Sequence, residues 1–195
     1  MEYRLGKQKL LDVLALWNRF LKKKVHLIAC GGTALTLQGV KPSTKDVDFM
    51  VPVSAEHVYL VSVLKNLGYE QVTASGWLRK GDIFRFDLFP GKRIHTTELL
   101  ESPLEPVNHS LLMEYSRLYI GILNPYDLIA SKLMRGTGVD FEDCLMLVKA
   151  LHGKIDILRL ANHYRELVSY DISVERIGGH IDRFIELLRE ENLYE

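Results

Sequence analysis

Cysteine is scarce: Cys30 and Cys144 are the only two in 195 residues, and each lies inside an apolar segment. That pattern excludes a disulfide framework and fits reduced, buried thiols in a cytoplasm. Surplus charge of either sign is lacking, because 25 Lys+Arg balance 25 Asp+Glu. Such a chain does not coat nucleic acid or an anionic membrane by bulk electrostatics. No apolar run approaches the roughly 18 residues that a membrane helix needs. Met1-Glu2-Tyr3-Arg4 leads into an amphipathic stretch, not a signal-peptide core, so a cytoplasmic protein without membrane contact is expected. The histidines at 26, 57, 95, 109, 152, 163 and 180 show no zinc spacing. Ser43 and Ser131 have no His-plus-acid pattern nearby, so nucleophilic hydrolase chemistry has no support. Repeats and low-complexity tracts are absent as well.

What is present is a chain long enough to bury a core without staples. Leu10, Leu14, Trp17 and Leu21 recur at helical spacing and predict an amphipathic helix over 5–23. Its other face holds Lys7, Lys9, Arg19, Lys22, Lys23 and Lys24, as a solvated helix face does. Val25–Cys30 predicts a buried strand that stops at Gly31-Gly32, and Thr33–Leu37 a short helix. A loop over Gly39–Lys45 leads into a second strand, Asp46–Val51. Ser54 is the expected cap of a helix from Ala55 to about Leu67, stopped by Gly68. Further strands are expected at Tyr69–Thr73, Trp77–Arg79 and Ile83–Phe89, the last ended by Pro90-Gly91. Residues 91–110 form the long connection, and Tyr115–Leu123 one more strand. From Asn124-Pro125 onward helices are predicted at about 125–135, 139–151, 154–169 and 173–192. Gly178-Gly179 falls inside the last of these and receives no function. The expected class is α+β: a mixed sheet with flanking helices over 1–123, then a helical bundle over 124–195.

The chemistry concentrates in Asp46-Val47-Asp48-Phe49-Met50-Val51. Side chains alternate across a strand, so Asp46 and Asp48 share one face and Val47, Phe49 and Val51 the other. Two close carboxylates repel, and burial worsens the conflict. A divalent cation resolves it, and Mg²⁺ prefers such oxygen ligands. Ile83–Phe89 repeats the pattern, with Phe84, Phe86 and Leu88 on one face and Arg85 and Asp87 on the other. If the two strands are neighbours, Asp87 joins as a third carboxylate, the donor set of two-metal phosphoryl transfer. The plain alternative makes these acids solvent-facing, with Lys45 and Arg85 as partners. Asp82 competes for the third position, but Gly81-Asp82 fits a turn better. Gly31-Gly32-Thr33 sits between strand and helix, where backbone can approach a phosphate and the helix dipole favours an anion. His95 follows Lys92 and Arg93 and has two readings, an approach to substrate or, as expected for a loop histidine, plain surface.

The run Ile28-Ala29-Cys30-Gly31-Gly32-Thr33-Ala34-Leu35, followed by Thr44-Lys45-Asp46-Val47-Asp48-Phe49, resembles the nucleotidyltransferase superfamily of the DNA polymerase beta type. Within it the chain looks most like the small nucleotidyltransferases of abortive-infection and toxin–antitoxin systems. The resemblance implies a mixed-sheet nucleotidyltransferase core in which Gly31 and Gly32 contact the triphosphate, with Thr33 and Lys45 beside them. It implies that Asp46 and Asp48 ligate two Mg²⁺ ions, or Mn²⁺ in their place. Asp87 then ligates one metal and helps to deprotonate the attacking hydroxyl. Tyr126-Asp127-Leu128-Ile129-Ala130-Ser131-Lys132-Leu133 resembles a helix of that group whose lysine faces the nucleotide. Asp140-Phe141-Glu142-Asp143 resembles its Asp-x-x-Asp helix start, with Asp143 toward the nucleotide. The bland readings are a solvated helix lysine for Lys132 and an N-cap for Asp140. The sequence departs from the group at Pro42, where an arginine often stands, and at Val139, where a basic residue often does.

The implied activity is transfer of a nucleoside monophosphate from a nucleoside triphosphate to a hydroxyl. The acceptor is an RNA, such as a tRNA 3′ end, or a protein, and the setting is a prokaryotic toxin with a cognate antitoxin. Two other classes compete: a nucleotide-binding or interaction module of the same fold with little turnover, and a metal-dependent nuclease using the same carboxylates.

Overall fold

The computed structural model describes residues 4–82 and 84–195. Ile83, the first residue of one expected strand, lies outside the described residues, as do Met1, Glu2 and Tyr3. The chain divides into two compact units. One runs through Thr96 and resumes at Glu101–Leu123; the other comprises Thr97–Leu100 and Asn124–Glu195.

In the first unit, Leu10, Leu14 and Trp17 place the apolar stripe of α1 (Lys7–Phe20) fully out of water. Then follow β1 (Val25–Ala29), α2 (Gly31–Leu37), β2 (Val47–Val51), α3 (Ser54–Asn66), β3 (Tyr69–Gln71), β4 (Gly76–Arg79) and β5 (Phe86–Pro90). The two-residue strand β6 (Arg93–Ile94) and the strands β8 (His109–Glu114) and β9 (Leu118–Leu123) complete this unit; β7 (Thr97–Glu98) belongs to the other. Seven strands form one mixed sheet in the order β3-β4-β5-β2-β1-β9-β8. β2 is its central strand, parallel to β5 and antiparallel to β1. All five β2 residues are buried, which explains why this strand reads as a nearly continuous apolar run. The Trp17 ring lies 4.7 Å from Phe86 and meets Tyr69 edge-on at 5.7 Å. Phe86 and Asp87 point to opposite faces of β5, so α1 covers the face away from Asp87.

The second unit contains α4 (Pro125–Arg135), α5 (Gly138–Ala150), α6 (Ile157–Ser169), α7 (Val174–Ile177) and α8 (His180–Glu190). Local chemistry sets their ends. Asn124 accepts the Asp127 N–H at 3.0 Å ahead of Pro125, and Gly136 closes α4 at φ +67°. Asp156 caps α6 by accepting the Arg159 N–H at 3.0 Å. Leu128, Ile129, Leu133, Leu147, Tyr164 and Phe184 fill the core between these helices. No helix of the described residues is long and apolar enough to cross a membrane.

The architecture is the expected α+β arrangement, with corrections at element ends. α2 begins at Gly31, two residues earlier than Thr33. Ser54 is the first helical residue of α3; Val53 is the cap and makes no side-chain cap bond. The predicted long connection ends early, because His109–Glu114 pairs with β9 as β8. A register shift between Leu111 and Met113 breaks the period-2 signal that marks a strand. The helix expected over 173–192 breaks at Gly178-Gly179, where Gly178 caps α7 and Gly179 caps α8. Asp140 is not an N-cap. Thr137 is, and Asp140 closes a capping box with it from the third helical position.

Candidate active site

Asp48 and Asp87 stand in register on the adjacent parallel strands β2 and β5. Register partners share a sheet face, so the two carboxylates lie side by side. Asp48 is 5% exposed and Asp87 2%. Asp46 immediately precedes β2 on the same face and keeps its side chain 64% exposed. The sequence expectation required β2 and β5 to be neighbours, and they are. Asp82 is elsewhere engaged: Arg79 donates to it at 3.0 Å.

The start of α2 closes one side of this group. Gly31 has φ +55°, and a Cβ there would lie 2.5 Å from Asp48 Oδ2. Only glycine lets backbone run so close to the carboxylate. At Gly32 a Cβ would lie 2.7 Å from Thr44 Oγ1. Thr33 stitches helix to strand: its hydroxyl donates to the Asp46 carbonyl at 3.2 Å and accepts the Asp48 N–H at 2.9 Å. The Thr44 hydroxyl donates to the same Asp46 carbonyl at 2.8 Å. Gly31, Gly32 and Thr33 are therefore brought to the acidic strand. Their N–H groups open α2 and have no acceptor within it. Lys45 is exposed beside Asp46.

Asp87 is tied on both oxygens. The Ser75 hydroxyl donates to Oδ1 at 2.8 Å. Arg85 Nε donates to Oδ2 at 2.9 Å, and Nη2 lies 2.9 Å from the same oxygen. The Arg85 guanidinium also reaches toward Asp46, with Nη2 to Oδ1 at 3.8 Å. Three carboxylates on one sheet face match the oxygen donors that Mg²⁺ prefers, so the donor set fits a divalent cation in kind. Among the described residues no three such groups are drawn together as a ready metal cluster. Asp87 is turned to Ser75 and Arg85 instead.

Residues beyond the expected set also meet here. His95 is not plain surface. Its Nε2 lies 3.8 Å from Asp48 Oδ1, its ring meets Phe89 at 4.7 Å, and its φ is +50°. Positive φ in a non-glycine residue is uncommon and costs energy that the surroundings must supply. Ser75 and Gly76 are the other additions. Gly76 pairs with Asp87 across β4 and β5, and a Cβ on it would lie 2.6 Å from Arg85 Cδ. The Lys92-Arg93 charge next to His95 was a signal. Ser75 and Gly76 gave none, since only the sheet order brings them to Asp87.

Lys132 and Asp143 come together within the second unit. Lys132 is 2% exposed, with Nζ 2.7 Å from Asp143 Oδ2 and 3.7 Å from Asp140 Oδ1. Lys132 is thus a buried, paired cation and not a solvated helix lysine. Arg135 lies 2.5 Å from Asp140. Burial alone would raise the Asp140 carboxyl. Hydrogen bonds from Arg135 and Thr137, with the charges of Arg135 and Lys132, outweigh it and hold Asp140 below the ordinary range. The neighbouring Cys144 is fully buried, and burial pushes its thiol far up, so it is no nucleophile at neutral pH.

Known proteins share this fold. A family model described as "Nucleotidyltransferase of unknown function (DUF6036)" matches residues 8–182. ANT(2″)-Ia in complex with adenylyl-2″-tobramycin shares the fold at TM-score 0.53 and 14% identity, over 83% of this chain and 94% of that one. The solution structure of the antibiotic-resistance factor ANT(2″)-Ia gives TM-score 0.53 and 14% identity, over 95% and 94%. An antigenic nucleotidyltransferase-like protein from Paracoccidioides brasiliensis gives TM-score 0.50 and 14% identity, over 92% and 95%. No curated protein matches at a significant level. Since the family match runs from the first helix into the last, through the acidic strands and the Lys132 helix alike, the chain belongs to that family and is a nucleotidyltransferase.

Proposed function

We propose that the protein transfers a nucleoside monophosphate from a nucleoside triphosphate to an acceptor hydroxyl, with Asp46, Asp48 and Asp87 as the residues that hold Mg²⁺ or Mn²⁺. The observation that carries this reading is the in-register placement of Asp48 and Asp87, with Gly31 pressed against Asp48. A divalent ion bound there supplies stabilisation of negative charge on the triphosphate and the leaving pyrophosphate. The remaining work falls to the chain. Gly31, Gly32 and Thr33 present backbone N–H groups at the opening of α2, which suit phosphate oxygens. Lys45 adds a cationic side chain at the same edge; for Lys132 and Asp143 a nucleotide role rests on the resemblance alone. The acceptor oxygen bonds to the α-phosphorus, the bond from that phosphorus to the β-phosphate bridge breaks, and pyrophosphate leaves. The hydroxyl proton passes to the Asp87 carboxylate.

Resemblance names the acceptor as RNA, such as a tRNA 3′ end, or a protein hydroxyl, in a cytoplasmic toxin held by an antitoxin. The fold neighbour bound to adenylyl-2″-tobramycin adds a small-molecule hydroxyl as a further class. The test is incubation with each α-labelled triphosphate and Mg²⁺ or Mn²⁺, offered total RNA, cell lysate or tobramycin. Label should move to one of them with the native chain, and fall about a hundredfold or more with Asp48→Asn. Binding of triphosphate with no transfer to any acceptor would count against the reading, and shortening of RNA without label would point to a nuclease.

A further inference from the structure

Three carboxylates on one sheet face, two of them buried, need a cation beside them. Arg85 supplies it. Its Nε and Nη2 both lie 2.9 Å from one oxygen of Asp87, and Nη2 leans toward Asp46 at 3.8 Å. Two details show that this placement is built into the fold. Gly76 lacks the Cβ that would lie 2.6 Å from Arg85 Cδ, so the arginine stem lies across bare backbone of β4. Ser75 occupies the other Asp87 oxygen at 2.8 Å, which leaves Oδ2 turned to the guanidinium. A third detail bears on departure. The Arg85 side chain is 40% exposed although its partner Asp87 side chain is 3% exposed. The head group can therefore withdraw into water along a path the buried acid does not have.

We propose that Arg85 is a displaceable resident cation. It neutralises Asp87 and Asp46 in the metal-free protein and yields Asp87 Oδ2 when a divalent ion binds. This rests on the reading of Asp46, Asp48 and Asp87 as metal-holding residues. Arg85 is then a positioning residue with two consequences. It keeps the acid group folded and charge-balanced. It also weakens metal binding, because the ion must break a charge-assisted hydrogen bond and the ion pair around it to enter. Released, the guanidinium stands at the edge of the site as a fixed positive charge suited to a phosphate group.

The experiment uses the full chain and MgCl₂ alone, with no nucleotide. Heteronuclear NMR follows the Arg85 side-chain Nε–H and the backbone N–H groups of β2 and β5 through a Mg²⁺ titration. The Arg85 signal should shift, and exchange faster with water, with the same half-saturation as the Asp48 and Asp87 amides. Arg85→Gln should lower that half-saturation concentration by roughly ten- to a hundredfold, as when hydrogen bonds to a charged group need no longer be broken. If the strand amides titrate while the Arg85 Nε–H stays unmoved, Arg85 is a plain structural ion pair and the proposal is overturned, with the metal reading intact. If Arg85→Gln binds Mg²⁺ no more tightly than the native chain, it is overturned in the same way. If neither protein's amides respond to Mg²⁺, the metal reading of the three acids fails, and the role of Arg85 falls with it. Binding seen only in Arg85→Gln would support the proposal in its strongest form.

Discussion

At residue 31 the chain needs glycine for two separate reasons, and they predict separable effects. The backbone is left-handed, at φ +55°, and a Cβ would lie 2.5 Å from Asp48 Oδ2. Gly31→Ala should lose about 1–2 kcal/mol from the backbone conformation alone, read as a lower urea midpoint. It should also displace the Asp48 carboxylate, so transfer activity should fall further than the stability loss accounts for. Lys132 makes a contrasting case. Lys132→Met removes the cation 2.7 Å from Asp143, and both side chains are buried. Breaking such a pair from one side costs roughly 3 kcal/mol. The double variant Lys132→Met with Asp143→Leu should recover part of that loss in urea unfolding, because the Asp143 charge is no longer left buried without its cation and Asp140 keeps Arg135. Asp140 adds a pH dependence. Its carboxyl is held below the ordinary Asp value of about 3.9. A depressed acid stabilises the folded state above that ordinary value and ceases to do so as pH falls through its folded value. The stability gap between the native chain and Asp140→Asn should therefore be level from neutral pH down to about pH 4. It should narrow below, as read from urea midpoints across the acid range.

At the scale of elements, the capping box of α5 offers the cleanest measurement. Thr137 accepts the Asp140 N–H at 3.2 Å while Asp140 reaches back to the Thr137 N–H. Thr137→Ala should cost about 0.5–2 kcal/mol, measured by thermal or urea unfolding. Other elements show what sequence conveys and what it hides. Asn124-Pro125 made the start of α4 legible, because capping chemistry is local. Alternation put Asp46, Asp48 and Asp87 on their faces for the same reason. β8 was not legible: its pairing partner β9 and its bulge determine it, and its own pattern does not. The breaking of the last helix at Gly178-Gly179 was visible as composition but lost to the surrounding periodicity. At the site, the sequence offered Arg85 as one partner for the acids. It did not show Ser75 and Gly76 in the same clamp, since strand order β4-β5-β2 lies beyond any local signal. His95 carried a local signal in Lys92-Arg93, but its approach to Asp48 is set by the turn after β5.

For the whole molecule, a formal charge of +0 conceals an uneven distribution along the chain. Residues 1–24 hold seven basic residues against two acids, and residues 165–195 hold four against eight. Lys7, Lys9, Arg19 and Lys22 are exposed on or just after α1. Leu5 pairs with Thr44 just ahead of the acidic strand, so the start of this basic helix lies beside the Gly32 end of the site. A polyanionic acceptor would feel that helix, and a small neutral or cationic one would not. The acceptor classes thus separate by salt. With RNA, each phosphate neutralised contributes a slope of about −0.7 in log affinity against log salt for single strands. Three or four contacts along α1 give a slope of about −2 to −3 on that basis. Changing Lys7, Lys9 and Lys22 together to Gln should flatten it by about 2 and leave triphosphate binding unchanged. Acceptor affinity that ignores both salt and these substitutions would remove RNA and leave a small or protein hydroxyl as the acceptor. The neutral total would then describe the working surface as well as the sum.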